Sequence, residues 1–362
     1  MKRILCILSS LDAGGAETFI MKVYRNLPTN AIQLDFIVSE KEGCYAKEVR
    51  SRGGLIHKIP MRTKAPFQAL NGIRRIVKEN KYQYVLKFGD TPVAALDLLA
   101  ARLGGAKTLA MRSCNALTGL TAKKKIVNAV LRPVLNMVAN VKLAPSMLAA
   151  EFTFGKKQAH RNVHLLHNGV DLSVFRFDLE GRNRIREEFG LSDRFVVGHV
   201  GRFHKQKNHR YLLEVFQKIR EVRKDAVLLL VGIGPLEDAI RDWVKELDLE
   251  DTVIFAGQRF DIPWLLSAMD VFVFPSLHEG MPNTVIEAQA TGLPCVIADT
   301  ITPEADITGL VTYLPLSNDK HQWAEKALKA AEETRRDTAK DFLKHGYDIE
   351  SVAKELIHIL CD

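Results

Sequence analysis

Short apolar runs rich in Val, Ile, Leu and Phe alternate along the chain with longer segments whose apolar residues recur at helical spacing. Runs of this length predict buried strands, and the alternation is typical of βαβ units with a parallel sheet covered on both faces. In the first half, helices are expected in the gaps, as over residues 16–27 and 67–79. The strands expected there span residues 3–9, 33–39, 55–59, 84–88, 108–111, 141–144 and 163–166.

The same pattern restarts after a polar stretch at residues 178–194. It predicts helices over residues 209–222 and 236–247. The strands expected in this half span residues 195–200, 227–231, 253–256, 271–274 and 295–298. The sequence therefore predicts an α/β chain of two Rossmann-like domains, residues 1–175 and 176–345, with residues 346–362 forming a C-terminal helix that packs back on the first. Parallel sheets bind ligands at the carboxyl ends of their strands, so a cleft between the two domains is the expected site.

Charge is divided unequally between the two halves of this chain of net charge +8. Residues 1–170 carry 27 basic and 10 acidic side chains, whereas the remainder is acidic. A basic first half indicates an anionic partner such as a phosphate or a lipid surface, and a solvated basic surface is the alternative. Nucleic acid is not predicted, because no nucleic-acid-binding module accompanies the charge.

Cysteine usage and hydropathy bear on the compartment. The five cysteines are odd in number and none are at metal-ligand spacing, which favours reduced thiols in a cytoplasmic protein. No apolar stretch approaches the ~20 residues that span a bilayer. Any membrane contact is therefore expected to be peripheral, at the inner face of the cell membrane.

Glycine-rich turns follow three of the predicted strands. Gly15 opens the first helix, and paired glycines there let a backbone approach a phosphate at the positive end of a helix. A tight turn without a ligand is equally compatible with this spacing. Gly201 ends a strand of the second half, and Gly232 and Gly234 follow the next one, where they are expected to line the same cleft.

Basic residues lie in two of the loops that follow strands. Arg202 and Lys207 suit a diphosphate, because two cations at a strand's carboxyl end can neutralise charge that grows as a bond breaks. A solvated basic loop is the alternative. Arg259 and Phe260 follow another strand and are candidates to hold a flat base by hydrogen bonds and stacking.

The segment from Glu279 to Glu287 joins a strand to a helix. Pro282 suits a first helical position, and the amides of Asn283 and Thr284 would then face a β-phosphate at the positive helix end. Carboxylates accept strong hydrogen bonds from hydroxyls. Glu279 and Glu287, eight residues apart, are therefore expected to hold two sets of hydroxyls, one on a sugar ring and one on a ribose.

Taken together, these motifs resemble the retaining glycosyltransferases of family 4, which have the GT-B fold, and most of all the bacterial branch that builds exopolysaccharide and capsule. The resemblance implies that Arg202 and Lys207 hold the donor diphosphate, that Glu279 holds the transferred sugar and that Glu287 holds the ribose. It also implies that the backbone from Gly280 through Met281 to Thr284 touches sugar and phosphate.

The chain departs from the family on the acceptor side. Family members commonly carry a histidine in the loop after the fifth strand, where this sequence has Arg112, Cys114 and Asn115 instead. Arg112 and Asn115 are the weaker, acceptor-side candidates. No Asp-x-Asp triplet occurs in the sequence, so neither a metal nor a cofactor is expected.

The implied reaction moves a sugar from a nucleotide-sugar, with UDP favoured by family habit, to a lipid-linked glycan. A nucleotide-sugar epimerase and a non-catalytic nucleotide-sugar or membrane-binding protein remain alternatives. Lys123, Lys124 and Lys125 precede a stripe of apolar residues, Ile126, Val130, Val134 and Val138. Core packing of the stripe is favoured, and contact with an anionic membrane is the alternative.

Overall fold

The structure, a computed structural model, describes residues 1–12, 14–28, 30–39, 42–114 and 121–361. The chain divides into two compact units. The first comprises Met1–Gly169 together with Gly346–Asp362, and the second comprises Val170–His345.

The first unit contains a parallel sheet. Among the described residues its strands are β1 (Lys2–Ile7), β2 (Ile32–Val38), β3 (Ile56–Lys58), β4 (Tyr84–Gly89), β5 (Thr108–Ser113), β6 (Val141–Ala144) and β7 (His164–Leu165). They lie in the order β3-β2-β1-β4-β5-β6-β7. The helices are α1 (Gly15–Arg25), α2 (Ala46–Ser51), α3 (Pro66–Glu79), α4 (Ala95–Leu103), α5 (Ala122–Val138), α6 (Met147–Phe154) and α7 (Lys156–Asn162).

The second unit repeats this architecture. Its strands are β8 (Phe195–Val200), β9 (Ala226–Val231), β10 (Val253–Gly257), β11 (Val271–Phe274), β12 (Cys295–Ala298) and β13 (Val311–Leu314), in the order β10-β9-β8-β11-β12-β13. Its helices are α8 (Leu179–Glu188), α9 (His209–Val222), α10 (Glu237–Glu246), α11 (Ile262–Ala268), α12 (Asn283–Ala290), α13 (Lys320–Ala330) and α14 (Ala339–Lys344). A last helix, α15 (Ile349–Cys361), belongs to the first unit, where Val352 and Leu356 enter the hydrophobic core.

Most strand residues are apolar because helices cover both faces of each sheet. Every residue of β2 and of β9 is buried. Asp35 is the acidic residue in β2, and its carboxylate accepts hydrogen bonds from Arg3 (2.7 Å), the Leu55 amide (2.7 Å) and the Tyr82 hydroxyl (2.8 Å). A buried carboxylate satisfied in this way is tolerated in a core.

The predicted fold is confirmed: both units carry parallel sheets with helices between the strands. Twelve strands lie within two residues of the expected bounds, and β13 is the one that the sequence did not predict. The four residues of β13 pair only with β12 at the sheet edge, and three of them are half-buried. A short, half-buried run carries too weak an apolar signal to be recognised.

The apolar stripe of α5 is partly exposed. Ile126 and Val130 are each 65% exposed, whereas Val138 is buried. The expectation of core packing is therefore wrong for the first half of this helix, where Asn128 is the residue that the surrounding structure buries. Helical spacing of apolar residues reveals a stripe but not what covers it.

Candidate active site

The order of the strands in the second sheet reverses between β8 and β11. The chain leaves these neighbouring strands in opposite directions, and such a switch point opens a crevice at the carboxyl ends of the strands. The two loops that leave the strands are joined to each other. The Leu277 amide donates to the carbonyl of Gln206 (2.8 Å), and the Gln206 side chain donates to the carbonyl of His278 (2.7 Å).

Lys207 and Glu279 form an ion pair at this crevice. The Lys207 Nζ lies 2.8 Å from Glu279 Oε1, and the two side chains are only 17% and 11% exposed. The ammonium also lies 4.4 Å from the centre of the Phe274 ring, in cation–π contact. The structure thus brings together the residue predicted to hold a diphosphate and the residue predicted to hold a sugar. Phe274 is a third member of the group, which the sequence analysis did not single out.

Arg202 lies in the same loop as Lys207 and is exposed to solvent. Within the described ranges its guanidinium pairs with no carboxylate. The loop ends at Asn208, whose φ of 56° is left-handed, a conformation that asparagine tolerates better than most residues. Arg202 provides an exposed positive charge in the loop that also carries Lys207.

Two neutral histidines underlie Lys207. His199 is fully buried, donates from Nδ1 to the carbonyl of Val273 (3.0 Å), and stacks on Phe274 with ring centres 5.3 Å apart. Burial and nearby positive charge hold the pKa of His199 well below its ordinary value and lower the pKa of His209 to about 4. These two imidazoles therefore add no positive charge beside Lys207 at neutral pH.

Gly232 and Gly234 let the loop after β9 lie against the loop after β8. A Cβ on Gly232, whose φ is 138°, would stand 2.1 Å from the carbonyl oxygen of Gly201. A Cβ on Gly234 would stand 2.4 Å from the carbonyl oxygen of Phe203. Real Cβ contacts are never that short, so the approach of the two backbones requires glycine at both positions.

Helix α12 begins immediately after the loop that carries Glu279. Pro282 is the cap residue before this helix rather than its first helical position, and its carbonyl accepts from the amides of Val285 and Ile286. No side chain caps the helix, and its first turn carries no acidic residue. The positive end of α12, at Asn283 and Thr284, is therefore not neutralised by a carboxylate of its own first turn.

The remaining candidates of this segment lie around that helix end. Gly280 is half-buried, Met281 is buried at 8% exposure, and Glu287 is half-buried on the second turn of α12. Both glutamates of the motif thus follow β11, one before the helix and one within it.

Arg259 is fully engaged with two carboxylates. Its Nη1 lies 2.6 Å from Glu188 Oε1 and its Nη2 lies 2.6 Å from Asp261 Oδ2, and these bonds raise the pKa of the guanidinium. The neighbouring Phe260 is 87% exposed. Glu188 lies 71 residues before Arg259, and no local pattern in the sequence predicted this pairing.

The remaining candidates belong to the first unit: Gly15, predicted to bind the donor, and Arg112 and Asn115, predicted on the acceptor side. Gly15 is the first residue of α1, and a Cβ there would meet nothing within 4 Å. Arg112 is only 1% exposed: its guanidinium donates to Asn168 Oδ1 (2.6 Å) and lies 3.7 Å over the ring of Phe19. Burial lowers the pKa of Arg112 to about 10. Asn115 lies outside the described residues.

Among the described residues, no group of three or more His, Cys, Asp or Glu side chains is arranged to hold a metal ion. Within those ranges, every helix is too short or too polar to cross a bilayer.

Two family models match the chain. The model described as "Glycosyltransferase Family 4" matches residues 13–174, and the model described as "Glycosyl transferases group 1" matches residues 194–333. The putative glycosyltransferase EpsF of Bacillus subtilis is 35% identical over 99% of this chain and 96% of its own length.

Two further similarities are partial or structural. A galactosyltransferase of Escherichia coli, named UDP-Gal:alpha-D-GlcNAc-diphosphoundecaprenol alpha-1,3-galactosyltransferase, is 38% identical over 38% of this chain and 36% of its own length. The crystal structure of Anabaena HepE in complex with UDP and glucose has a TM-score of 0.77 and 18% identity, with 99% of each chain covered. The chain belongs to glycosyltransferase family 4 and is a hexosyltransferase with the GT-B fold.

Proposed function

We propose that this enzyme transfers a hexose from a UDP-sugar to a hydroxyl of a lipid-linked exopolysaccharide or capsule precursor, with retention of the anomeric configuration. The observation that carries the proposal is the Lys207–Glu279 ion pair at the switch point of the second sheet. A cation and a carboxylate at one crevice match the two chemistries of a sugar diphosphate, a polyanion joined to a ring of hydroxyls.

In the proposed complex, Lys207, Arg202 and the amino end of α12 surround the diphosphate. Glu279 accepts hydrogen bonds from the sugar, Glu287 accepts them from the ribose, and the backbone at Gly280, Met281 and Thr284 borders both. Arg259 contributes to donor binding indirectly, because its ion pair with Glu188 anchors the loop after β10. UDP is supported by the name of the Escherichia coli relative and by the UDP bound to HepE.

The bond between the anomeric carbon and the β-phosphate oxygen breaks, and the acceptor oxygen forms the new bond to that carbon. Negative charge grows on the departing phosphate, where Lys207 and Arg202 stabilise it more strongly in the transition state than in the bound substrate. The acceptor hydroxyl passes its proton to an oxygen of the departing phosphate. Retention without a covalent enzyme intermediate is what the resemblance to the family implies, and no carboxylate nucleophile is assigned.

A lipid-linked acceptor is supported by two relatives whose names include a diphospho-undecaprenol substrate. It is also supported by charge: residues 98–150 include eight Lys or Arg and no Asp or Glu. Such a segment is attracted to anionic lipid head groups. We place the enzyme in the cytoplasm at the inner face of the membrane, in peripheral contact through the first unit.

Helix α5 provides the membrane-facing surface in this proposal. Lys123, Lys124 and Lys125 are exposed at its start, and Ile126 and Val130 are exposed one and two turns later. Lysines beside exposed apolar side chains suit an anionic interface, in which the apolar groups enter the acyl boundary. We call these five residues the α5 surface.

Replacing the three lysines of the α5 surface with glutamine is expected to weaken binding to phosphatidylglycerol-containing vesicles by about 100-fold, because each lysine contributes about 1 kcal/mol at such a surface. Vesicle sedimentation at low salt measures the affinity. The matched control replaces Lys245, Lys326 and Lys329, which are exposed in the second unit. Equal losses in the two triple variants would show that net charge, rather than this helix, sets membrane binding.

The proposal is tested by a panel of nucleotide-sugars supplied to the purified protein in EDTA. Thermal stabilisation or slow hydrolysis of one donor is expected, followed by transfer of labelled sugar to a polyprenyl-diphosphate glycan. Isomerisation of the nucleotide-sugar without an acceptor would indicate an epimerase. A protein that responds to no nucleotide-sugar would contradict the proposed function.

A further inference from the structure

A cavity of about 180 Å³ lies at the carboxyl edge of the sheet in the first unit. This sheet also has a switch point, between β1 and β4, and the cavity borders it. Its wall includes Ser9 and Ser39 just past β1 and β2, Arg62 and Thr63 after β3, Lys87 on β4, and Asp97 on α4. The rule that places ligands at the switch point of an open α/β sheet therefore applies to the first unit as well.

Two cations share one carboxylate at this cavity. Arg62 Nη1 lies 2.5 Å from Asp97 Oδ1, and Lys87 Nζ lies 3.1 Å from Asp97 Oδ2. The Lys87 and Asp97 side chains are only 13% and 7% exposed. Asp97 is the only acidic residue of the described lining, so the group keeps a surplus of one positive charge.

The surplus charge is shared by side chains that are 13% (Lys87) and 31% (Arg62) exposed, where solvent screens it less than on an open surface and an anion would stabilise it. The cavity has room for such a group, because its volume equals that of about six water molecules at ~30 Å³ each. The hydroxyls of Ser9, Ser39 and Thr63 in its wall are suitable donors to anionic oxygens. Charge, size and donors thus agree on the same kind of ligand.

We propose that this cavity binds an oxyanion of the acceptor, held by Lys87 and Arg62. The inference rests on the proposed function, because the glycan acceptor of that reaction would bring the anionic group to the first unit. The bound group is a phosphate or a carboxylate, which the lipid diphosphate or an acidic sugar would supply. Asp97 competes with that oxyanion for the two cations.

Because of this competition, substitutions of Lys87 and of Asp97 should change the affinity for the anion in opposite directions. Lys87→Gln removes one cation and should weaken anion binding by about tenfold, the size of one charge-assisted hydrogen bond. Asp97→Asn removes the competing carboxylate and should strengthen anion binding severalfold. Lys218→Gln is the matched control, since Lys218 pairs with Glu221 on the surface of the second unit at 2.6 Å.

The experiment uses the full-length protein with saturating UDP, which occupies the donor diphosphate region. Phosphorus NMR line broadening reports binding of inorganic phosphate and geranyl diphosphate, and saturation-transfer proton NMR reports binding of glucuronate. Binding of geranyl diphosphate without glucuronate assigns the oxyanion to the lipid, and the reverse assigns it to an acidic sugar. Melting curves show whether each variant folds, and Arg62→Gln replaces Lys87→Gln if the latter does not.

Opposite changes in Lys87→Gln and Asp97→Asn, with Lys218→Gln unchanged, are the expected result. Three results would overturn the inference: no binding of any probe, affinities within twofold of wild type in both variants, or weaker binding in both. The last would mean that the three side chains only tie α4 to the loop after β3. UDP binding is measured on every variant, so its retention separates failure of this inference from failure of the proposed donor site.

Discussion

Replacing Lys207 with alanine is expected to lower kcat by about 10²–10³-fold, the effect of removing one preorganised group that stabilises transition-state charge. The Lys207 side chain is 17% exposed and its ammonium contacts both Glu279 and the Phe274 ring, so solvent screens it little. Because its attraction grows as charge develops on the departing phosphate, kcat should fall far more than KM rises. Steady-state kinetics with the donor identified in the panel measures both.

Lys205→Ala is the matched control for this experiment. Lys205 lies in the same loop, two residues before Lys207, and it is exposed. Its loss should change kcat by less than about threefold, since exposed charges contribute little. If both substitutions changed kcat by similarly small factors, Lys207 would have no role in stabilising the transition state.

Gly232→Ala is expected to destabilise the second unit by about 3–5 kcal/mol. The added Cβ would stand 2.1 Å from the carbonyl oxygen of Gly201, so one of the two loops must move, in addition to the strain of a φ of 138°. Urea unfolding followed by circular dichroism measures the loss. Displacement of the Gly201 loop should also weaken donor binding.

Gly257→Ala separates the two causes of that loss. Gly257 also has a positive φ, 69°, but a Cβ there would meet nothing within 4 Å. Its substitution should therefore cost only the backbone strain, about 1 kcal/mol. Equal destabilisation by the two alanines would show that the close approach of the loops after β8 and β9 is not what requires glycine at position 232.

The fold could be predicted from the sequence because strands that are buried on both faces have nearly continuous apolar sequences. The runs that became β8 and β11 were predicted to the residue. The edge strand β13 was not, since an edge strand that is half-buried lacks that continuity. The prediction for the start of α5 was wrong for the opposite reason: Ile126 and Val130 have core-like spacing, and only the tertiary structure shows that each is 65% exposed.

The candidate site divides in the same way. Loops after strands could be identified locally, which is how Lys207 and Glu279 were each singled out. Their ion pair joins residues 72 positions apart and depends on β8 lying beside β11, a fact of topology. Arg112 shows the converse, because its side chain enters the interior towards Asn168, and no single-sequence pattern distinguishes an inward arginine from an outward one.

The central claim is that Lys207 and Arg202 hold the diphosphate of the donor. Isothermal titration of UDP into the wild-type protein and the Arg202→Ala, Lys207→Ala double variant, both in EDTA, tests it most directly. Loss of two charge-assisted contacts should weaken UDP binding by at least about 100-fold. A double variant that folds and binds UDP as tightly as wild type would contradict the claim.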